Sequence, residues 1–231
     1  MKKLKTTVFV TLCMSLFLLN SCQSDSGDDS KAEASIGDYW PTAVGNQWVM
    51  NQDGSDITMK IISAESIKGD TYFKFNQFAG ATNEISGTAT PSIKKVGGDY
   101  YLKMDDIVYN YEGFSAKITG YEYIFFKDYL EANKTWTGNF TQETTINMPN
   151  VPSVKMTVNY TGTILEKGAT ATVNGVTYKD VIKFKLLQQA KVDGGSSNSV
   201  EVQYWVAKDV GVIKMTSGSI VSSLKTYVVK K

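Results

Sequence analysis

The sequence predicts an all-β protein with an antiparallel sheet of about eleven or twelve strands. Stretches that alternate apolar and polar residues recur along the chain and are rich in Val, Ile, Thr, Tyr and Phe. This period of two is typical of strands with one buried face. Glycine-containing turn signals separate the stretches, whereas helical periodicity is rare. Together these observations favour an all-β fold with at most one or two short helices.

The alternating stretches begin with DITMKIIS, in which Ile57, Met59 and Ile61 share one face. TYFKFNQF, KMTVNYTGTILEK, VIKFKLLQ and VEVQYWVA follow with the same alternation. Asn174-Gly175 is the clearest hairpin signal between two such stretches, because both residues tolerate a positive φ. Composition does not change within residues 36–231, so we expect one all-β domain there.

One stretch departs from this pattern. FFKDYLEANKT places Phe126, Tyr129 and Leu130 on one helical face, which predicts a helix of two or three turns. Pro149 and Pro152 bracket NMPNVP, which predicts a loop or a break in an edge strand.

Residues 1–21 have the pattern of a secretory signal. Lys2, Lys3 and Lys5 precede an apolar run, VFVTLCMSLFLL, and small polar residues follow it. The run is about 12 residues long, too short to cross a hydrocarbon layer that needs about 20. We therefore expect a cleaved signal peptide rather than a membrane helix.

The sequence LLNSC at residues 18–22 resembles a bacterial lipobox, with Leu19 three positions before Cys22 and a small residue, Ser21, just before it. The resemblance implies cleavage before Cys22 and acylation of that cysteine, including palmitate. A thiol is a strong nucleophile, and several acyl chains are what stable anchoring requires. The other cysteine, Cys13, lies in the predicted signal peptide, so a disulfide partner is lacking.

Residues 22–35 form an acidic, serine-rich segment with little apolar surface to bury, so we expect a flexible tether. The segment is similar to the export signals of Bacteroidota lipoproteins. That resemblance assigns the signal to Asp25, Asp28 and Asp29 and implies outer-membrane anchoring with display at the cell surface. A merely solvated linker and a periplasm-facing protein remain alternatives.

Charge and composition exclude several functions. Removing residues 1–21 leaves 21 lysines against 23 acids, a net charge of −2, so nothing suggests a nucleic-acid partner. Histidine and arginine are absent, and no free thiol remains once Cys22 is acylated. Catalysis by Ser-His-Asp or Cys-His groups, zinc hydrolysis and haem ligation by His or Cys are therefore excluded. We expect no enzyme, no metal and no cofactor.

Two groups of carboxylate-bearing residues are candidate sites. The oxygen-rich run at residues 51–56 resembles a calcium loop but lacks the terminal bidentate acid, which favours a hairpin turn. An acid-pair hydrolase would draw on other carboxylates, and nothing in their spacing singles out a pair. The candidates are Glu112, Glu122, Asp128, Glu131 and Glu143.

Adjacent aromatic residues give the candidate ligand-binding positions. Tyr100-Tyr101 and Tyr204-Trp205 each lie within a predicted strand, so the two members of a pair must face opposite sides. Aromatic strands line apolar grooves or stack on sugars, but they are also common in sheet cores. One member of each pair should lie away from the main core.

Three phrases resemble those of small uncharacterised Bacteroidota lipoproteins: YWPTAVGNQW at residues 39–48, VNGVTYKDV at residues 173–181 and YWVAKDVGVIK at residues 204–214. The last phrase is also similar to a hairpin of the Lol lipoprotein carriers. That resemblance implies a single, strongly curved antiparallel sheet or half-barrel. The chain lacks the arginine of those carriers, so lipid carriage is not transferred.

These features predict a non-enzymatic, lipid-anchored outer-membrane protein. We expect it to bind an apolar or glycan ligand through aromatic side chains. The alternative is a structural lipoprotein that partners another envelope protein, and an acid-pair hydrolase is less favoured.

Overall fold

The structure is a computed structural model that describes residues 33–78, 90–111 and 114–230. These residues form fourteen strands and no helix. The strands are β1 (Gln47–Gln52), β2 (Ser55–Ile67), β3 (Asp70–Phe75), β4 (Pro91–Val96), β5 (Asp99–Met104), β6 (Ile107–Tyr111), β7 (Phe114–Ile118), β8 (Tyr121–Lys127), β9 (Thr135–Ile146), β10 (Val154–Val173), β11 (Val176–Val192), β12 (Ser197–Ala207), β13 (Gly211–Ser217) and β14 (Ile220–Val228).

All strands belong to one antiparallel sheet, as the sequence predicts. Their order is β6-β7-β9-β10-β11-β12-β13-β14-β1-β2-β3-β4-β5-β8. Among the described strands the sheet does not close through backbone pairing, because β6 and β8 lie at its two edges. Most neighbours follow one another in sequence, so short hairpins build most of the sheet.

The sheet curls so that edge strand β8 meets β9, which is third from the other edge. The indole Nε1–H of Trp136 on β9 donates to the carbonyl oxygen of Ile124 on β8 at 3.0 Å. Tyr121 of β8 stacks on Phe140 of β9 with ring centroids 4.3 Å apart. The concave face is therefore folded onto itself, and apolar side chains from both halves of the sheet fill the interior.

Hairpin turns lie where glycine signals predict them. Asp53 and Gly54 both have positive φ, 50° and 90°, between β1 and β2. Asn174 and Gly175 have φ of 48° and 80° between β10 and β11. Both turns have the positive φ values that a two-residue hairpin requires.

The predicted helix at FFKDYLEANKT is wrong. Phe125, Phe126 and Lys127 complete β8, and Phe126 pairs with Tyr100 of the neighbouring strand. A connection without helix follows, in which Asn133 takes a positive φ of 67°. Pairing with β5 outweighs the helical spacing, because it buries both phenylalanine side chains in the core.

The strand number also exceeds the expected eleven or twelve. The chain between residues 91 and 127 folds into five short strands of five to seven residues. Strands this short carry only two or three alternations each, so their boundaries are weakly marked in the sequence.

Residues 33–46, named here the N-terminal strap, cross from the β8 end to the β12–β13 turn. The Ser35 hydroxyl donates to the Asp128 carboxylate at 2.5 Å, next to the end of β8. Farther along, the Asp209 backbone N–H donates to the Asp38 carbonyl oxygen at 2.6 Å. The strap thereby ties two distant parts of the sheet together. None of the described residues forms a helix long and apolar enough to span a membrane.

Candidate functional site

Tyr100 and Tyr101 face opposite sides of the sheet, as strand alternation predicts. Tyr100 is fully buried, and its hydroxyl lies 3.3 Å from the Asp128 carboxylate. Tyr101 is half-buried, and the Lys94 ammonium lies 4.6 Å from its ring centroid. Tyr100 is therefore a core residue and Tyr101 belongs to the outer face.

Tyr204 and Trp205 divide in the same way. The Tyr204 ring stacks on Phe184 in the interior, with centroids 5.0 Å apart and planes inclined by 16°. Trp205 lies between two lysines on neighbouring strands, with Lys183 Nζ at 4.4 Å and Lys214 Nζ at 4.7 Å from its ring. Because two ammonium groups already lie beside the indole ring, the ring is poorly suited to stack on a sugar.

A continuous column of aromatic rings joins the two buried members of these pairs. Tyr204 stacks on Phe184, which stacks on Phe126 at 4.6 Å, and Phe126 contacts Tyr100 at 5.0 Å. The structure thus brings Tyr100 and Tyr204 into one interior although 104 positions separate them. Tyr101 and Trp205 lie outside that interior.

A second aromatic group bridges β8 and the strands that it meets. Tyr121 and Tyr123 come from β8, Phe140 from β9 and Tyr160 from β10. Tyr123 lies 5.2 Å from Phe140 and 5.1 Å from Tyr160, measured between ring centroids. These contacts hold the curled sheet together where backbone pairing is absent.

Part of this interior remains accessible. We name as the inner cleft the inner-face residues that are not fully covered there: Tyr121, Phe140, Gln188, Val200, Val202 and Tyr204. All but one are half-buried, and Val200 is 44% exposed. The Gln188 amide donates to the Tyr123 hydroxyl at 3.0 Å, which links the β11 side of the cleft to β8.

The tyrosines around the inner cleft remain neutral phenols. Burial raises the pKa of Tyr204, and the nearby Tyr121 phenol raises it further. Burial also raises the pKa of Tyr121 and that of Tyr123. The lining therefore offers aromatic surface and neutral hydroxyl groups.

Sequence reasoning missed a reciprocal pair beside the cleft. Trp136 lies opposite Gly162, and Tyr160 lies opposite Gly138, in the β9–β10 ladder. A Cβ at either glycine would overlap the facing ring. The signal was present, because Trp136-Thr137-Gly138 and Tyr160-Thr161-Gly162 repeat the same aromatic-Thr-Gly pattern.

The outer face of β3, β4, β5 and β8 carries a dense polar network around Lys94. The Lys94 ammonium contacts Asp70 at 2.9 Å, Glu122 at 2.8 Å and the Tyr72 hydroxyl at 2.9 Å. Burial lowers the pKa of Lys94, but its bonds to Glu122, Tyr72 and Asp70 outweigh that effect and raise the pKa overall. The positive charge of Lys94 is paired with the carboxylates of Asp70 and Glu122, so the network is a structural feature of the outer face.

The carboxylates considered for hydrolysis lie in different surroundings. Glu112 falls outside the described residues. The others lie on the outer face of β8 (Glu122), beneath the strap (Asp128), in the β8–β9 connection (Glu131) and on the exposed face of β9 (Glu143). Glu122 pairs with Lys94, and Glu131 pairs with Lys167 at 2.7 Å.

The oxygen-rich run at residues 51–56 is a hairpin turn, as predicted. Asn51 donates to Asp56 at 3.1 Å, and Lys225 pairs with the same carboxylate at 2.6 Å. Across residues 33–78, 90–111 and 114–230, no group of three or more acidic or cysteine side chains is arranged to hold a metal ion.

A depression of about 500 Å3 lies beside the strap. Its lining consists of Asp38, Pro41, Asp209, Tyr227, Val229 and Lys230. Burial raises the pKa of Asp38, against the opposing influence of Lys95. The depression combines charges of both signs, in contrast to the neutral inner cleft.

The lipidation and export residues predicted from the sequence, Cys22, Asp25, Asp28 and Asp29, lie outside the described residues. Glu33 is the first described residue, eleven positions after Cys22. A segment of that length spans at most about 36–40 Å. Lipid anchoring at Cys22 and export through the acidic segment therefore stay predictions.

No family model matches the chain. No curated protein matches it either. Among solved structures, the chain is similar to one described as a "putative lipoprotein" from Parabacteroides distasonis. The two share 11% sequence identity with a TM-score of 0.48, and the match covers 82% of this chain and 98% of that chain.

Proposed function

We propose that the protein is a lipid-anchored lipoprotein of the outer membrane that binds an apolar ligand in the inner cleft, without catalysis. The observation that carries the ligand proposal is the accessible aromatic lining. Tyr204, Tyr121 and Phe140 keep accessible surface although they pack against the core. Apolar surface left accessible within a concave face is typical of ligand sites.

The test uses the mature protein and the neutral fluorescent probe N-phenyl-1-naphthylamine. Saturable enhancement of probe fluorescence is expected, together with its loss in Val202→Trp, which adds bulk on the inner face. Gln203→Trp is the matched control, because the neighbouring position faces the other side of the sheet. The proposal fails if the two variants bind the probe alike. Where only Val202→Trp loses probe binding, native mass spectrometry of protein from its own cells identifies the retained ligand.

Anchoring and location are tested separately. Lipidation at Cys22 is supported by the lipobox, and surface display by the acidic residues after it. Cys22→Ala should release the protein from membranes and abolish incorporation of labelled fatty acid. Protease shaving of intact cells should remove the protein, whereas protection from the protease would place it on the periplasmic side.

A second candidate function is supported by the β6 edge. Ile107–Tyr111 carries no charge, proline or described bulge, and no described residue pairs with its outer edge. Such an edge suits strand addition by a partner protein of the envelope. Val108→Lys should reduce co-purification of that partner, and an unchanged set of co-purified proteins would contradict this function.

A further inference from the structure

The depression beside the strap, named here the strap depression, has the size of a site for a small molecule. Its volume is about 500 Å3, and pockets that bind small molecules measure about 300–1,000 Å3. Two carboxylates, of Asp38 and Asp209, and one ammonium, of Lys230, belong to its lining. The Asp209 backbone N–H donates to the Asp38 carbonyl oxygen at 2.6 Å, which holds these two residues side by side. The lining therefore carries more negative than positive charge.

The nearby lysines do not neutralise the two carboxylates. The Lys230 ammonium donates to the carbonyl oxygen of Val44 at 2.9 Å. Lys95 attracts Asp38, but its ammonium lies 3.8 Å from the fully buried carboxylate of Asp128. In the part of the chain that the structure describes, no lysine forms an ion pair with either carboxylate of the lining.

The two carboxylates of the lining repel each other. Burial is the largest cause of the raised pKa of Asp38, and the negative charge of Asp209 raises that pKa too. A cation bound beside both groups would relieve this repulsion, whereas an anion would add to it. The charge of the depression thus favours a cationic ligand.

The rest of the lining is apolar or aromatic. It consists of Pro41, Tyr227 and Val229, and the Tyr227 side chain is 42% exposed. An aromatic face attracts an ammonium ion, and apolar surface suits the alkyl groups that such an ion carries. A calcium ion would need six to eight oxygen ligands, and no group of three or more acidic side chains is arranged for a metal within residues 33–78, 90–111 and 114–230. The lining therefore fits an organic cation better than a metal ion.

We infer that the strap depression binds a small organic ammonium ion that has apolar substituents and no anionic group beside the nitrogen. Asp38 and Asp209 pair with its charge, and Tyr227 contacts its alkyl groups. A phosphate next to the ammonium, as in a lipid head group, would be repelled by the same carboxylates. The strap depression and the inner cleft share no lining residue, so this site goes beyond the proposed function and does not depend on it.

The experiment measures thermal unfolding of the mature protein in choline chloride and in sodium chloride at equal concentration, which matches the ionic strength. Choline is expected to raise the unfolding midpoint saturably, and the concentration dependence gives its dissociation constant. Two related molecules are expected to raise the midpoint much less. 3,3-Dimethyl-1-butanol has the shape of choline with a neutral carbon in place of the nitrogen, and phosphocholine adds a phosphate.

Variants of the lining locate the site. Asp209→Asn and Tyr227→Leu should each weaken choline binding by about 2- to 5-fold, as expected for the loss of one exposed ion pair or one cation–π contact. Asp193→Asn is the matched control, because it makes the same charge change at an exposed position between β11 and β12. Each variant is compared with itself in sodium chloride, so a change in its own stability does not enter the comparison.

Several outcomes would overturn the inference. Equal stabilisation by choline and 3,3-dimethyl-1-butanol would show that the positive charge has no role, and equal stabilisation by phosphocholine would show that an adjacent anion is accepted. Equal choline binding by Asp209→Asn and Asp193→Asn would place the ion elsewhere. Absence of any saturable effect of choline would remove the site, while probe binding in the inner cleft would be unaffected.

Discussion

The Trp136 indole lies against the backbone of Gly162, its direct partner across the β9–β10 ladder. Tyr160 lies in the same way against the backbone of Gly138. On each strand the glycine and the aromatic residue are two positions apart. Each glycine leaves room for a ring that would otherwise collide with a Cβ. The two rings are thereby held where they reach β8, so this reciprocal pair supports the curl of the sheet.

Substitution of Gly162 by Ala should destabilise the protein. The added methyl group meets the Trp136 ring, which must move or leave its contact with β8. Overpacking of this kind costs about 1–3 kcal/mol. The free energy of unfolding from urea titration measures the effect.

Two variants control that measurement. Thr137→Ala changes the exposed residue between Trp136 and Gly138 on β9, and it should have little effect on stability. Gly162→Ala placed in a Trp136→Leu background should cost less than it does alone, because the ring that it meets has gone. Additive effects of the two substitutions would show that ring and glycine do not interact.

Tyr160→Phe should expose the backbone of the β8 edge. The Ile124 backbone N–H donates to the Tyr160 phenol oxygen, which lowers the pKa of Tyr160 against the larger effect of burial, while the carbonyl oxygen of Ile124 accepts from Trp136. Removing the hydroxyl leaves the Ile124 amide without that partner, so its hydrogen exchange should accelerate. Exchange measured by NMR or mass spectrometry tests this, with Tyr178→Phe as control. Unchanged exchange at Ile124 would mean that another group protects the edge.

Residue alternation made the fold class predictable. The local signals are Val, Ile, Thr and aromatic residues at every second position, with turns at Asp53-Gly54 and Asn174-Gly175. The tertiary structure has strands and turns where these signals predict them. Register and the meeting of β8 with β9 depend on contacts between distant residues. Trp136 and Ile124 illustrate this, because nothing in either local sequence indicates the other.

The candidate site was only half predictable for a related reason. Alternation correctly separated Tyr100 from Tyr101 and Tyr204 from Trp205, but it could not say which side was the interior. The helical spacing of Phe126, Tyr129 and Leu130 misled because pairing with β5 buries more aromatic surface than an isolated two-turn helix would. Burial of Asp128 under the strap has no local signal at all.

Asp128→Ala should release the N-terminal strap. The fully buried carboxylate accepts from Ser35 Oγ and from the Ile36 backbone N–H, and it lies 3.8 Å from Lys95 Nζ. Lys95 is 23% exposed, so the pair is only partly buried, and losing the carboxylate with its hydrogen bonds should cost about 1.5–3 kcal/mol. Limited proteolysis should then cut within residues 33–46, and mass spectrometry locates the cut.

Ser35→Ala is a milder variant than Asp128→Ala, because it removes only one hydrogen bond to Asp128. It should lower the free energy of unfolding by about 1 kcal/mol. Protection of residues 33–46 in Asp128→Ala, at a digestion time that cuts the denatured chain, would contradict the role of Asp128 as the clamp.

Asp38→Asn should stabilise the protein at neutral pH and not in acid. Burial raises the pKa of Asp38 above its ordinary 3.8, and Asp209 and Asp128 also raise it, although Lys95 and the Trp40 backbone N–H act in the opposite direction. A carboxyl whose folded pKa is raised stabilises the fold fully below the unfolded pKa and loses that contribution as pH rises through the folded pKa.

Asparagine at position 38 keeps an acceptor for the Trp40 backbone N–H without becoming charged. Thermal unfolding of both proteins from pH 3 to pH 8 should therefore give midpoints that agree in acid and diverge above about pH 4, with the variant higher. If the unmodified protein were the more stable one at pH 7, attraction between Asp38 and Lys95 would outweigh burial.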